Sequence, residues 1–122
     1  MIDSLNAISQ NPLINIPFFV GLMFLAAGII TRAFPPRKIN SLYGYRSTSS
    51  MKSQERWTFA QEYSSKEMIK LGLLLFICGF LGLITNFNDS VNLALGLGLM
   101  FLILTVLIWR VEKAIKSKFN GN

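Results

Sequence analysis

Apolar positions in this chain are gathered into three blocks, not spread along one helix face or over alternate residues of a strand. No charged residue falls between Asp3 and Arg32, between Lys70 and Asp89, or between Asp89 and Arg110. A helix needs about 20 mostly apolar residues, each rising ~1.5 Å, to cross a ~30 Å hydrocarbon layer. The blocks therefore predict three membrane-spanning helices, at about Ile16–Thr31, Ile69–Thr85 and Val91–Trp109. The second uncharged stretch is the shortest, so its helix is expected to begin before Lys70. The predicted fold is an all-α integral membrane protein, one domain over residues 1–122, with a cytoplasmic amphipathic or interfacial helix between the first and second spans. A soluble bundle would use core helices of only ~10–14 apolar residues. A cleaved signal peptide ending at Ala26-Ala27-Gly28 would need a basic start, where this chain has Asp3.

Punctuation along the chain sharpens the ends of the spans. Pro12 and Pro17 lie near the start of the first, where a missing N–H does least harm, and Asn15 is expected to mark its outer end. Phe34-Pro35-Pro36-Arg37-Lys38 stops it, because the residue before proline avoids helical geometry and the adjacent charges resist lipid. Asn86-Phe87-Asn88-Asp89-Ser90 has the turn chemistry to join the second and third spans as a hairpin. Within it, Cys78 with Gly82 and Ala94 with Gly98 recur at four-residue spacing, which predicts faces where a neighbouring backbone can approach closely. The third span ends on an interfacial Trp109 and an anchoring Arg110.

Charge then orients the spans. Eight of the twelve Lys and Arg lie between Arg32 and Lys70, and the other four, Arg110, Lys113, Lys116 and Lys118, follow the third span. Basic residues gather on cytoplasmic flanks, so the expectation is an amino terminus outside, residues 32–70 inside and the carboxyl terminus inside a bacterial inner membrane. The net charge of +6 thus reads as a topology signal and an attraction for anionic lipid headgroups, not as a nucleic-acid surface. Cys78 is the only cysteine and there is no histidine, which removes zinc sites, Ser-His-Asp triads and Cys-His dyads within this chain. Neither a metal nor a cofactor is expected, and no catalytic role.

The candidate site is the polar, aromatic segment after the first span. Asn40, Tyr43, Tyr45 and Arg46 surround Gly44, whose missing side chain permits a tight turn or close backbone approach. Tyrosine suits a headgroup layer, and the Arg46 guanidinium can grip a phosphate or carboxylate, on a lipid, a peptide terminus or an internal Glu55 or Glu62. Ser50 is a plausible N-cap for a helix from about Met51, with Glu55 favouring its positive end. That helix would set Trp57, Ala60 and Met68 in one arc with Tyr63 beside it, and Gln54, Thr58, Gln61 and Ser65 opposite, lying along the inner leaflet. Lys52, Glu55 and Trp57 would brace the pocket shaped by Asn40, Tyr43, Tyr45 and Arg46. Ser49-Ser50-Met51-Lys52 fits the S-x-x-K pattern of a serine nucleophile, but the companion motifs of that chemistry are missing.

The run Asn40-x-x-Tyr43-Gly44-Tyr45-Arg46, then Ser50-Met51-Lys52-Ser53 and Glu55-x-Trp57, resembles the signature of the SdpI family of small bacterial membrane proteins. The resemblance covers most of the chain and implies a motif placed between a first membrane helix and a later helical pair. It implies immunity against a secreted toxic peptide, or signalling through a protein held at the membrane. The name-giving member is longer, with an additional amino-terminal membrane region, whereas this sequence shows the three-span unit. Expected partners are the bilayer, anionic headgroups, and an antimicrobial peptide or membrane protein. An accessory subunit of a larger complex is the alternative, and an enzyme at the inner leaflet the lesser one.

Overall fold

The structure, a computed structural model, describes residues 2–119 and is helical throughout its regular segments. Five helices follow in order: α1 (Ile2–Ser9), α2 (Pro12–Ala33), α3 (Gln54–Cys78), α4 (Leu81–Ile84) and α5 (Asp89–Phe119). Three helical stretches, Pro12–Ala33, Gln54–Ile84 and Asp89–Phe119, are long and apolar enough to cross a membrane. Their outward side chains fit lipid: Phe19, Met23, Leu73, Leu74, Phe101 and Leu102 are all exposed.

Each span is longer than its apolar block. α2 starts four residues before Ile16, because Asn11 caps it through a 2.9 Å bond from the Leu13 amide and Pro12 occupies the first turn. Asn15, expected at the outer end, is inside the helix and ties it to α1 by a 2.6 Å bond from Nδ2 to the Ser9 carbonyl. The second span breaks after Cys78, where Gly79 and Phe80 continue the path through short i→i+3 bonds into α4. α5 runs on past Trp109 because Ile103, Leu107, Val111 and Ile115 recur every four residues and are all buried.

The interfacial helix expected ahead of the second span is not a separate element. Its residues form the first half of α3, continuous with the span. Trp57 and Ala60 are fully buried, and of the side read as polar and wet Gln61 and Ser65 are packed against protein while Gln54 and Thr58 stay exposed. Helix α3 also begins later than Met51. Ser53 is its N-cap, accepting from the Arg56 amide at 3.1 Å, and Ser50 is engaged elsewhere.

Helices α2 and α3 pack backbone to backbone. A Cβ on Gly21 would stand 2.7 Å from the Gly72 carbonyl oxygen, one on Gly28 2.9 Å from that of Ser65, and one on Gly79 3.2 Å from that of Ile14. These pairs step by seven residues in opposite directions, which is an antiparallel seam of small residues. Gly82 continues it against Ile14, whereas Ala94 and Gly98 are exposed and form no close approach among the described residues. α5 lies across both helices, its Gly96 against the Pro12 carbonyl, its Leu107 and Val111 in a core with Phe24, Ala60, Leu71 and Leu75. The buried Glu67 of α3 accepts a 2.8 Å ion-pair bond from Arg110.

The seam predicts that Gly72→Ala lowers stability by about 1–3 kcal/mol, the usual cost of overpacking. Gly98→Ala, with nothing within 4 Å, leaves stability unchanged or raises it by up to ~1 kcal/mol. Unfolding in mild detergent, followed by circular dichroism, compares the two; equal behaviour would contradict the seam.

Candidate functional site

Where α2 ends, two prolines in succession leave carbonyls that no backbone donor reaches, and side chains from two other segments supply the donors. The Tyr43 hydroxyl donates to the Phe34 carbonyl, and the Trp57 indole N–H to that of Pro36. Gln54 Nε2 donates to the Arg37 carbonyl. Asn40 folds the chain back towards these contacts: its Oδ1 accepts from the amides of Leu42 (2.9 Å) and Tyr43 (2.8 Å), and its Nδ2 donates to the Lys38 carbonyl. Trp57 therefore acts from inside the protein, not as an exposed interface anchor.

Gly44 is the pivot of the motif. Its φ of +106° is strained for any residue with a side chain, and a Cβ would stand 2.6 Å from both Gln61 Oε1 and Pro36 Cγ. That closeness lets Gln61 grip the next residue at two points: Oε1 accepts from the Tyr45 amide and Nε2 donates to the Tyr45 carbonyl, both at 2.7 Å. The amide side chain thus behaves like a strand partner for one peptide unit, and its orientation is fixed by the donor it must accept.

Beyond Tyr45 the motif fastens onto α5. Glu112 accepts hydrogen bonds from the hydroxyls of Tyr45 (2.6 Å), Ser47 (2.8 Å) and Ser49. Glu112 is partly buried, and its carboxylate gathers these three hydroxyls at one point of α5. Burial, then the bond to Glu112 and its charge, push the Tyr45 phenol well up, so it remains a donor. Ser50 is fully buried and closes the turn, accepting from the Ser47 amide at 2.8 Å. Ser49 is bound to Glu112, which leaves the S-x-x-K pattern without a free nucleophile.

The segment is thus a latch with its polar groups turned inward, and the nine residues singled out from sequence divide accordingly. Asn40, Tyr43, Gly44, Tyr45, Ser50 and Trp57 build the latch; Arg46, Lys52 and Glu55 are exposed around it. Glu112 and Gln61 were missed as site residues. Behind the latch, between the end of α2, the proline segment and α3, lies a cleft of about 670 Å³, a size typical of ligand sites. Thr31, Arg32, Arg37, Gln61 and Ser65 line it, and none of the nine does. Among the described residues the guanidinium groups of Arg32 and Arg37 have no hydrogen-bond or ion-pair partner, and Glu62 at the rim is paired with Lys66 at 3.4 Å.

A family model for the SdpI/YfhL protein family matches residues 37–111, which contain the whole motif, all of α3 and most of α5. The chain belongs to this family. The SdpI/YfhL match begins at the proline exit and stops one residue before Glu112. A Bacillus subtilis (strain 168) protein described as uncharacterized protein YfhL is 48% identical over 61 residues, 50% of this chain and 54% of that protein. The chain therefore aligns with only about half the length of this curated relative. No solved structure matches it. Family membership and three apolar helices together make this a membrane protein of the SdpI/YfhL type.

Glu112→Gln is expected to destabilise the protein by about 1–2 kcal/mol at pH 7, the worth of charge-assisted bonds after allowance for water at a partly exposed site. Unfolding midpoints of the two proteins in mild detergent at pH 7 measure the difference, and equal midpoints would contradict the latch.

Proposed function

We propose that this is a non-enzymatic membrane protein, of the immunity or signalling kind that its family resemblance implies, and that its Arg32–Arg37 cleft receives the headgroup of an anionic phospholipid at the cytoplasmic leaflet. The observation that supports this reading is a pair of guanidinium groups without partners among the described residues, on the wall of a cleft of about 670 Å³. Arginine binds phosphate through a fork of two N–H donors, and Thr31, Gln61 and Ser65 offer further polar contacts. Arg32 also stands in the last turn of α2, where its charge complements the helix dipole, and that role leaves its outer N–H groups available.

In this reading the latch and the cleft share a wall. Gln61 both grips Tyr45 and lines the cleft, and Pro36 both accepts from Trp57 and lines it, so a headgroup seated there presses on the elements that hold the motif. The exposed rim of Arg46, Lys52 and Glu55 then meets a peptide or protein partner in a set orientation. The alternative, an accessory subunit, is favoured by one feature: α5 presents Ala94 and Gly98 on an open face, where another membrane helix could approach.

The headgroup reading is tested in phosphatidylcholine nanodiscs containing a minor fraction of phosphatidylglycerol, with the lipid retained by the protein counted by native mass spectrometry. Loss of both guanidinium groups in Arg32→Gln/Arg37→Gln should reduce retained anionic lipid about tenfold, whereas Arg46→Gln leaves it unchanged. Equal retention by all three proteins would sink the proposal.

A further inference from the structure

The end of the bundle opposite the motif holds a second cavity, of about 710 Å³, between the start of α2, the loop after α4 and the start of α5. Among the described residues no Lys or Arg lines it, and the one acid that does is Asp89. Asn92 lines it as well and is only 6% exposed. Its Nδ2 donates to the Phe87 carbonyl at 3.2 Å, which fixes the amide orientation, since a flip would set two oxygens against each other. Asn92 Oδ1 is left buried and, among the described residues, without a hydrogen-bond partner.

That arrangement is unfavourable for a protein with nothing to bind there. A buried acceptor with its bond unmade costs about 1–3 kcal/mol, and a polar side chain one turn into a membrane helix is itself costly. Capping does not require Asn92, because the preceding Asn88 already caps α5 through a 2.9 Å bond from the Val91 amide to its Oδ1. An anionic ligand would face Asp89 with no cation among the described lining residues, and a purely apolar one would leave Oδ1 unpaired. A donor that carries positive charge satisfies both groups.

We propose that this cavity binds a primary ammonium group, with Asn92 Oδ1 accepting one N–H and Asp89 supplying the opposite charge. The inference is independent of the headgroup cleft, which lies at the other end of α2. A primary ammonium has two sources at a membrane: a free small amine, or the ethanolamine headgroup of a phospholipid.

The test uses the full chain in phosphatidylcholine nanodiscs, whose quaternary ammonium has no N–H to give, with thermal unfolding as the readout. Free ethanolamine is titrated into one sample, and phosphatidylethanolamine replaces part of the phosphatidylcholine in another. Selective binding raises the unfolding midpoint with the logarithm of one plus ligand concentration over Kd. A rise with both additions supports the ammonium site, and a rise with one alone supports it and identifies the source. Asn92→Leu, which removes the unpaired acceptor and keeps an apolar helix, should weaken the response about tenfold, as should Asp89→Asn. Choline at the same concentrations should have no effect. No rise with either addition, or an equal rise in Asn92→Leu, would overturn the proposal and leave Asn92 as an acceptor for water only.

Discussion

The close approach of α2 and α3 is the constraint on which the rest of the structure depends. In lipid there is no hydrophobic drive between two apolar helices, so their association rests on packing and on polar contacts. Glycines at 21, 28, 72 and 79 let the two backbones touch along an antiparallel seam, and the seam fixes the register of one helix against the other. With that register set, the first half of α3 arrives beside the end of α2, and Gln54, Trp57 and Gln61 reach the proline segment and the motif.

The motif itself answers a backbone problem. A helix that ends on Pro35-Pro36 leaves carbonyls at the membrane boundary with few donors in reach, and unpaired polar groups there are expensive. Tyr43, Trp57 and Gln54 pair the carbonyls of Phe34, Pro36 and Arg37, and Gly44 allows the chain to bend tightly enough to bring Tyr43 back. The hydroxyls of Tyr45, Ser47 and Ser49 converge on Glu112, so the third span is joined to the segment between the first two. The motif residues Asn40, Tyr43, Gly44, Tyr45, Ser50 and Trp57 are thus chiefly residues that fold this segment.

Much of this was legible in the sequence. The three spans follow from uncharged runs, because a bilayer demands them, and the special role of Gly44 follows from its residue type amid tyrosines. The helix starting at Gln54 was placed slightly early, since Ser50 and Ser53 are equally good caps locally and only the tertiary use of Ser50 decides between them. The glycine seam escapes a four-residue pattern because its spacing is seven; of the pairs at four, Cys78 with Gly82 contains one residue that extends the seam, whereas Ala94 and Gly98 stay open. Glu112 lies more than sixty residues from the hydroxyls it accepts from, and no local pattern connects them. The i, i+4 series Ile103, Leu107, Val111 and Ile115 was the available sign that α5 continues past Trp109 and brings Glu112 with it.

The central claim is that the segment after the first span is a folded latch held by α3 and α5. Amide hydrogen exchange, resolved by residue in a lipid environment at pH 7, tests it most directly. The amides of Tyr43, Tyr45 and Ser47 donate to the side chains of Asn40, Gln61 and Ser50, so they should exchange about as slowly as those in the first turns of α3. Exchange at the rate of an open loop, with α3 still protected, would contradict the account.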